Sequence, residues 1–138
     1  MNHRKDTVQR EIDTASPLLN EQGELNQVGW ARQPLLDCNL ENAHFYPLRL
    51  LQSFRLKRWD YYGLTTPDLF FSITLAHLGY AGLVFAYTLD LASGDLHEET
   101  LLLPLGRGIH LPRNSTEGDS VFDNGRVRVG FRLEGRAR

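Results

Sequence analysis

The chain has 138 residues, with 15 Lys+Arg against 17 Asp+Glu and a single cysteine. That length suits one domain with a core of its own. The near-balanced charge excludes a global field that would draw nucleic acid or an anionic membrane, and the lone Cys38 excludes an internal disulfide. Cysteine usage fits a reducing compartment, so a cytoplasmic location is expected.

Residues 1–16 are polar, poor in aromatics and without an apolar h-region, which predicts a flexible tail outside the fold and no secretion signal. The domain proper is placed at residues 17–138. Asn20-Glu21-Gln22-Gly23 is a turn signal, and Val28 to Arg32 suggests a short strand or extended arm. Asn39 to Phe45 suits a helical turn or a loop before Pro47, which disfavours helix in the residue ahead of it. Leu48, Leu50, Leu51 and Phe54 share a helical face, whereas Phe54 to Tyr62 alternates like a strand.

The centre of the chain, Asp68 to Leu91, holds two apolar runs rich in β-branched and aromatic residues, hinged on Leu78-Gly79-Tyr80. This is a β-hairpin pattern. By parity, Leu69, Phe71, Ile73, Leu75 and His77 group with Leu83, Phe85, Tyr87, Leu89 and Leu91 as a bulky face. The remaining face carries Phe70, Ser72, Thr74, Ala76, Val84, Ala86 and Thr88, and neither shows a charge before Asp90. Both faces are therefore expected under protein, or the small-residue face lines a sheltered cavity.

Ala92-Ser93-Gly94-Asp95 is a tight-turn composition leading to a strand from Leu96 to Leu103, stopped by Pro104. A Gly/Pro loop follows, and Ser120 to Asp123 then pairs with Arg126 to Leu133 across Asn124-Gly125. From Pro104 onward there are seven arginines against four acids, and Arg126, Arg128 and Arg132 alternate with apolar residues, as on a solvated strand face. No run is long enough for a membrane-spanning helix. The sum is a mainly β chain, an antiparallel meander with little helix, expected to form a lipocalin-like (calycin-like) barrel or part of one.

Asp60 beside Tyr62 on one strand face is a candidate general acid or proton relay, with packing of the aromatics as the plainer reading. His77 is a candidate base, or a strand-end histidine with its polar edge at a rim. In the late loop, Glu117-Gly118-Asp119 lies near Arg113, so Asp119 is either a functional carboxylate or a salt-bridge partner. Trp59, Tyr61, Tyr62 and Tyr80 form a candidate rim, and Ser72 and Thr74 a candidate lining, for a ligand. His97-Glu98-Glu99 lacks a third ligand at metal-binding spacing, and Gly106-Arg107-Gly108 lacks phosphate-loop spacing, so no metal and no cofactor are assigned. Cys38 reads as a small buried thiol.

Seven short strings, Leu18-Leu19, Gly29-Trp30-Ala31-Arg32, Pro34-Leu35-Leu36-Asp37, Trp59-Asp60-Tyr61-Tyr62, Leu78-Gly79-Tyr80, Leu111-Pro112-Arg113 and Glu117-Gly118-Asp119, occur in that order. As an ordered set they resemble the domain of unknown function 2804 family from about Pro17 onward. The resemblance implies the N-terminal part of a longer, two-barrel protein, with a distant similarity to lipocalin-like carotenoid hydratases. It implies no chemistry. The expected role is binding of a small apolar or amphipathic molecule. The alternatives are a hydratase or isomerase acting on a lipid-like substrate, and a fragment with no activity of its own. Expected partners are a small hydrophobic molecule, and either a missing C-terminal half or a second copy at an open strand edge; nucleic acid and membrane spans are not expected.

Overall fold

The computed structural model describes residues 9–44 and 46–134, with the backbone alone described at residues 49 and 50. Phe45, residues 1–8 and residues 135–138, which include two of the late arginines, lie outside the described residues. In chain order the elements are β1 (Ser16–Pro17), β2 (Leu36–Asp37), a 3-10 turn at Leu40–Asn42 and α1 (Arg49–Arg55). They continue as β3 (Arg58–Thr65), β4 (Leu69–His77), β5 (Ala81–Asp90), β6 (Leu96–Pro104), β7 (Ile109–His110), β8 (Ser120–Asp123) and β9 (Arg128–Phe131).

The predicted meander is present. β3, β4, β5 and β6 form one antiparallel sheet in sequence order, and β7, β8 and β9 form a second. The connections follow turn chemistry. At the β4–β5 hinge the Leu78 amide bonds the Ala81 carbonyl at 2.8 Å, and Gly79 alone takes a positive φ of 86°. A positive φ at the first of two central residues is a type II′ turn, which matches the twist of the flanking strands. A side chain at Gly79 would also lie 2.9 Å from the Phe54 Cα, so this glycine lets the end of α1 sit on the turn. At β8–β9 the Asn124 carboxamide accepts the Arg126 and Val127 amides, and the strand resumes at Arg128. The connection is longer than Asn124-Gly125 alone, which leaves Val127 outside the strand and exposed.

The two-residue hinge decides which side chains share a face. Leu78 and Ala81 close the hairpin, so each odd residue of β4 lies opposite an even residue of β5, as Ile73 does Ala86 and Leu75 does Val84. The parity grouping across the hinge is therefore corrected. Phe71, Ile73, Leu75 and His77 share a face with Gly82, Val84, Ala86 and Thr88, while Ser72, Thr74 and Ala76 share theirs with Leu83, Phe85 and Tyr87.

The first of these faces meets the second sheet. Ile73, Leu75, Val84 and Leu103 pack with Ile109 and Phe122 as the core, flanked by Tyr62, Phe71, Ala86, Val129 and Phe131. Gly82 permits the close approach, since a Cβ there would lie 2.7 Å from the Ile109 Cδ1 and 2.8 Å from the Gly106 Cα. The opposite face is a sheet surface on which Trp59 is 63% and Tyr61 53% exposed, and on which Phe70, Tyr87 and Phe85 form a tilted aromatic ladder with 5.6 Å between neighbouring centroids. No closed barrel forms among the described residues; two sheets face one another, and β3 and β6 end the larger sheet as edges.

The chain enters the fold earlier than its composition suggests. From Arg10 onward it runs beside the Trp30 segment: the Ile12 amide bonds the Trp30 carbonyl at 2.8 Å, Ile12 is buried, and Arg32 pairs with Glu11. β1 then pairs in parallel with β2. Buried Asn39 staples the next stretch, its carboxamide accepting the Leu19 amide at 2.9 Å and donating to the Leu19 carbonyl at 2.7 Å. A primary amide replaces a strand partner here, satisfying two backbone groups that burial would otherwise penalise.

Candidate functional site

The arm of residues 31–40, the start of β3 and the loop after β7 border a cavity of about 550 Å³ that is open to solvent. Its wall is largely apolar, with Ala31, Pro34, Leu35, Leu36, Leu40 and Leu111. Trp59 enters from one face of β3 and Arg58 and Asp60 from the other, because the cavity wraps around an edge strand. Two arginines hold the walls together. Arg113 forms ion pairs with Asp37 at 2.8 Å and Glu41 at 2.5 Å, tying the late loop to the arm. Arg58 Nη2 donates to the carbonyls of Leu111 and Pro112, both at 2.9 Å.

Behind this wall, on the inter-sheet side of β3, three polar side chains meet. Ser120 Oγ donates to Asp60 Oδ2, and the Tyr62 hydroxyl lies 3.2 Å from Ser120 Oγ and 3.4 Å from the same carboxylate oxygen. The Tyr62 ring stacks on Phe131 with 3.6 Å between centroids. Ser120 is fully buried and the cluster sits at the join of the two sheets. A carboxylate gathering two hydroxyls is a proton-transfer arrangement as well as a structural one, and Asp60 also borders the cavity.

A smaller cleft of about 270 Å³ adjoins the first and shares Arg58 and Leu111 with it. His77, Ile109 and His110 complete its lining. Arg58 and His77 are direct cross-strand partners. The His77 Nδ1 accepts the Gly79 amide at 3.2 Å, which leaves the proton of a neutral imidazole on Nε2.

The sequence-predicted residues separate into several places. Trp59 and Asp60 border the large cavity, and His77 the cleft beside it. Tyr62 is inter-sheet, not on a rim with Trp59 and Tyr61. Tyr80 stands at the hairpin hinge with the Lys57 ammonium 4.0 Å from its ring centre. Ser72 and Thr74 lie on the outer sheet face: Ser72 is fully buried, its hydroxyl without a hydrogen-bond partner, and Ala86 is on the other side. Tyr61 is held above the usual phenol range, first by the neighbouring Tyr87 hydroxyl and then by desolvation, with Ser72 leaning the opposite way although it reaches no partner with hydrogen-bond geometry.

Asp119 accepts the Leu133 amide at 3.2 Å and caps the end of β9, and Arg113 pairs with the arm rather than with the acids of its own loop. His97 and Glu99 are an exposed pair at 3.3 Å, and no group of metal-binding side chains occurs among the described residues. Cys38 is exposed and lines the large cavity, which corrects the expectation of a buried thiol.

Two participants carried too little local signal to be singled out, and Arg113 was expected beside the wrong acids. Ser120 is a lone serine at a strand start, and Arg58 resembles an ordinary surface arginine until the fold gives it partners. The alternation Arg58, Asp60, Tyr62 on one strand face is the single local hint.

The family model for the domain of unknown function (DUF2804) matches residues 9–138. This chain belongs to the DUF2804 family. The match opens where the chain begins to bond the Trp30 segment, at Arg10 and Ile12, so in this DUF2804 domain that first segment is part of the family unit. No curated protein and no solved structure gives a match. No helix among the described residues is long and apolar enough to cross a membrane.

Proposed function

We propose that this DUF2804 domain binds a small apolar or amphipathic molecule in the cavity between the arm and β3. The carrying observation is the cavity itself, about 550 Å³ with a mainly apolar wall surface. That size and lining fall within the range of small-molecule sites, roughly 300–1,000 Å³. Support also comes from the two arginines that pin its walls, since a cleft held open before binding does not have to be ordered by its ligand. The site differs from the Ser72 and Thr74 face favoured by sequence patterning and shares with it the edge residue Trp59. With Cys38 as its one cysteine, the domain fits a reducing, cytoplasmic setting.

A second reading, an enzyme of hydratase or isomerase type, draws on Asp60 at the cavity wall with the Tyr62 and Ser120 hydroxyls behind it. In that reading Asp60 exchanges the proton and the hydroxyls hold its charge.

Native mass spectrometry of the purified chain after exposure to a cell lipid extract tests the binding reading. Retained adducts on the wild type, lost in Ala31→Trp, are expected, because Ala31 lines the cavity from an exposed position. A wild-type chain that retains nothing overturns it.

A further inference from the structure

We infer that the ligand of this domain carries an anionic head, a carboxylate or phosphate, which lies in the cleft of Arg58, His77 and His110 while its apolar body fills the larger cavity. The inference rests on the binding reading above and adds the chemistry of one end of the ligand.

The two spaces are adjoining, since both are bordered by Arg58 and Leu111. Their chemistry differs sharply. The larger is mostly apolar, with Ala31, Pro34, Leu35 and Leu36 set against Lys57, Asp60 and Arg113 at its border, whereas the smaller adds two imidazoles to the shared Arg58 guanidinium around Ile109 and Leu111. Arg58 uses Nη2 alone for the Leu111 and Pro112 carbonyls, so Nε and Nη1 bond nothing else among the described residues. A planar fork with donors to spare is suited to a carboxylate or phosphate.

His77 adds a directed donor. Its Nδ1 is occupied by the Gly79 amide, and its ring packs against Gly106, which has a positive φ of 67° and could not carry a side chain without striking the imidazole. The ring is thereby fixed, with Nε2–H as its hydrogen-bond donor. His110, exposed on β7, supplies the third nitrogen group. No carboxylate lines this cleft among the described residues, and Asp60, two residues along β3 from Arg58, bonds Ser120 and Tyr62. An amphiphile with an anionic head therefore satisfies both spaces at once, and a neutral or cationic head satisfies only the larger one.

Isothermal titration of the chain with decanoate, decyl phosphate, decanol, decyltrimethylammonium and inorganic phosphate, each below its micelle concentration, tests this. Decanoate and decyl phosphate are expected to bind about tenfold more tightly than decanol, the worth of one charge-assisted hydrogen bond. Arg58→Gln should abolish that preference, whatever it does to the common affinity for the alkyl chain. His110→Gln, at an exposed position, should narrow it several-fold and serves where Arg58→Gln does not fold. Equal binding of decanol and decanoate, a preference for the cationic head, or a preference unchanged in His110→Gln and in a folded Arg58→Gln each overturns the anionic head while leaving the cavity reading intact. Inorganic phosphate binding as tightly as decyl phosphate overturns the joining of the two spaces. Absence of binding by every alkyl probe overturns the cavity reading, and this inference with it.

Discussion

Tyr62 lies nearly flat on Phe131, with ring centroids 3.6 Å apart and planes inclined by 14°, and this stack ties edge strand β3 to the last strand of the opposite sheet. The same tyrosine presents its hydroxyl to Ser120 and Asp60, so one side chain serves both packing and the polar cluster.

Because Phe131 is half-buried, Phe131→Ala is expected to destabilise the fold by about 2–3 kcal/mol, below the full range for a buried phenylalanine. Tyr62→Phe keeps the ring and loses the hydroxyl, for about 1 kcal/mol. Urea unfolding of the two variants separates packing from hydrogen bonding, and a larger loss in Tyr62→Phe than in Phe131→Ala would contradict this division.

Ser72 is a polar residue whose replacement should help. Its hydroxyl is wholly buried and unpartnered, so it contributes a desolvation cost with no hydrogen bond to offset it. Ser72→Ala is expected to raise stability by about 1 kcal/mol, read as a higher urea midpoint at unchanged slope. A clear drop in midpoint would mean that the hydroxyl has a partner.

Leu105 stores backbone strain. It has φ of +57° in the turn after β6, beside Gly106, and is the one non-glycine residue with positive φ among the described residues. Any side chain there sets its Cβ against the neighbouring carbonyl, at a cost of about 1–2 kcal/mol. Since Leu105 is 55% exposed, little packing is lost on replacing it. Leu105→Gly, which removes the Cβ, is expected to stabilise by about 1 kcal/mol even after its larger loss of chain entropy, and Leu105→Asn, which keeps the Cβ but can hydrogen-bond its own backbone, by less. Thermal unfolding midpoints report the order.

Asp90 should set part of the acid response. Its Oδ1 accepts the Ser93 amide at 2.8 Å and the Ala92 amide at 2.9 Å, and these bonds, that from Ser93 first, hold its carboxyl below the usual carboxylate range. A carboxyl depressed in the folded state contributes stability that is present above its unfolded value, 3.8, and is lost as pH falls through the lower folded value. Asp90→Asn cannot ionise, so the difference in unfolding free energy between wild type and variant should shrink as pH drops below about 4. A difference that stays constant from neutral pH down to that range would refute the assignment.

Much of the architecture was legible in the sequence because its causes are local. Alternation within Leu69 to His77 and Ala81 to Asp90 makes strands wherever they end up, and Gly79, Gly94 and Asn124-Gly125 supply backbone conformations that close turns between neighbours in the chain. What went astray concerns relations across the turns. Parity carried across the hinge put Ala86 with Ser72, whereas a two-residue turn pairs odd with even and puts Ala86 with Ile73. The hinge length needed to see this stood in the sequence.

The candidate site was beyond such local reading. Its walls come from residues 31–40, 57–60 and 111–115, brought together by Arg113 reaching Asp37 and Glu41 and by Arg58 reaching Leu111 and Pro112. Nothing near an arginine in the chain announces which distant carboxylate or carbonyl it will meet, because that depends on how the arm, the sheet edge and the loop pack. Sequence by itself determined the strands of the four-stranded meander, their order and the turns between them, all of which depend on near neighbours, but not the short strands β1, β2 and β7. Only the tertiary structure decided which face is core, where the cavity opens and that Asp60, Tyr62 and Ser120 meet, since each depends on contacts between segments tens of residues apart.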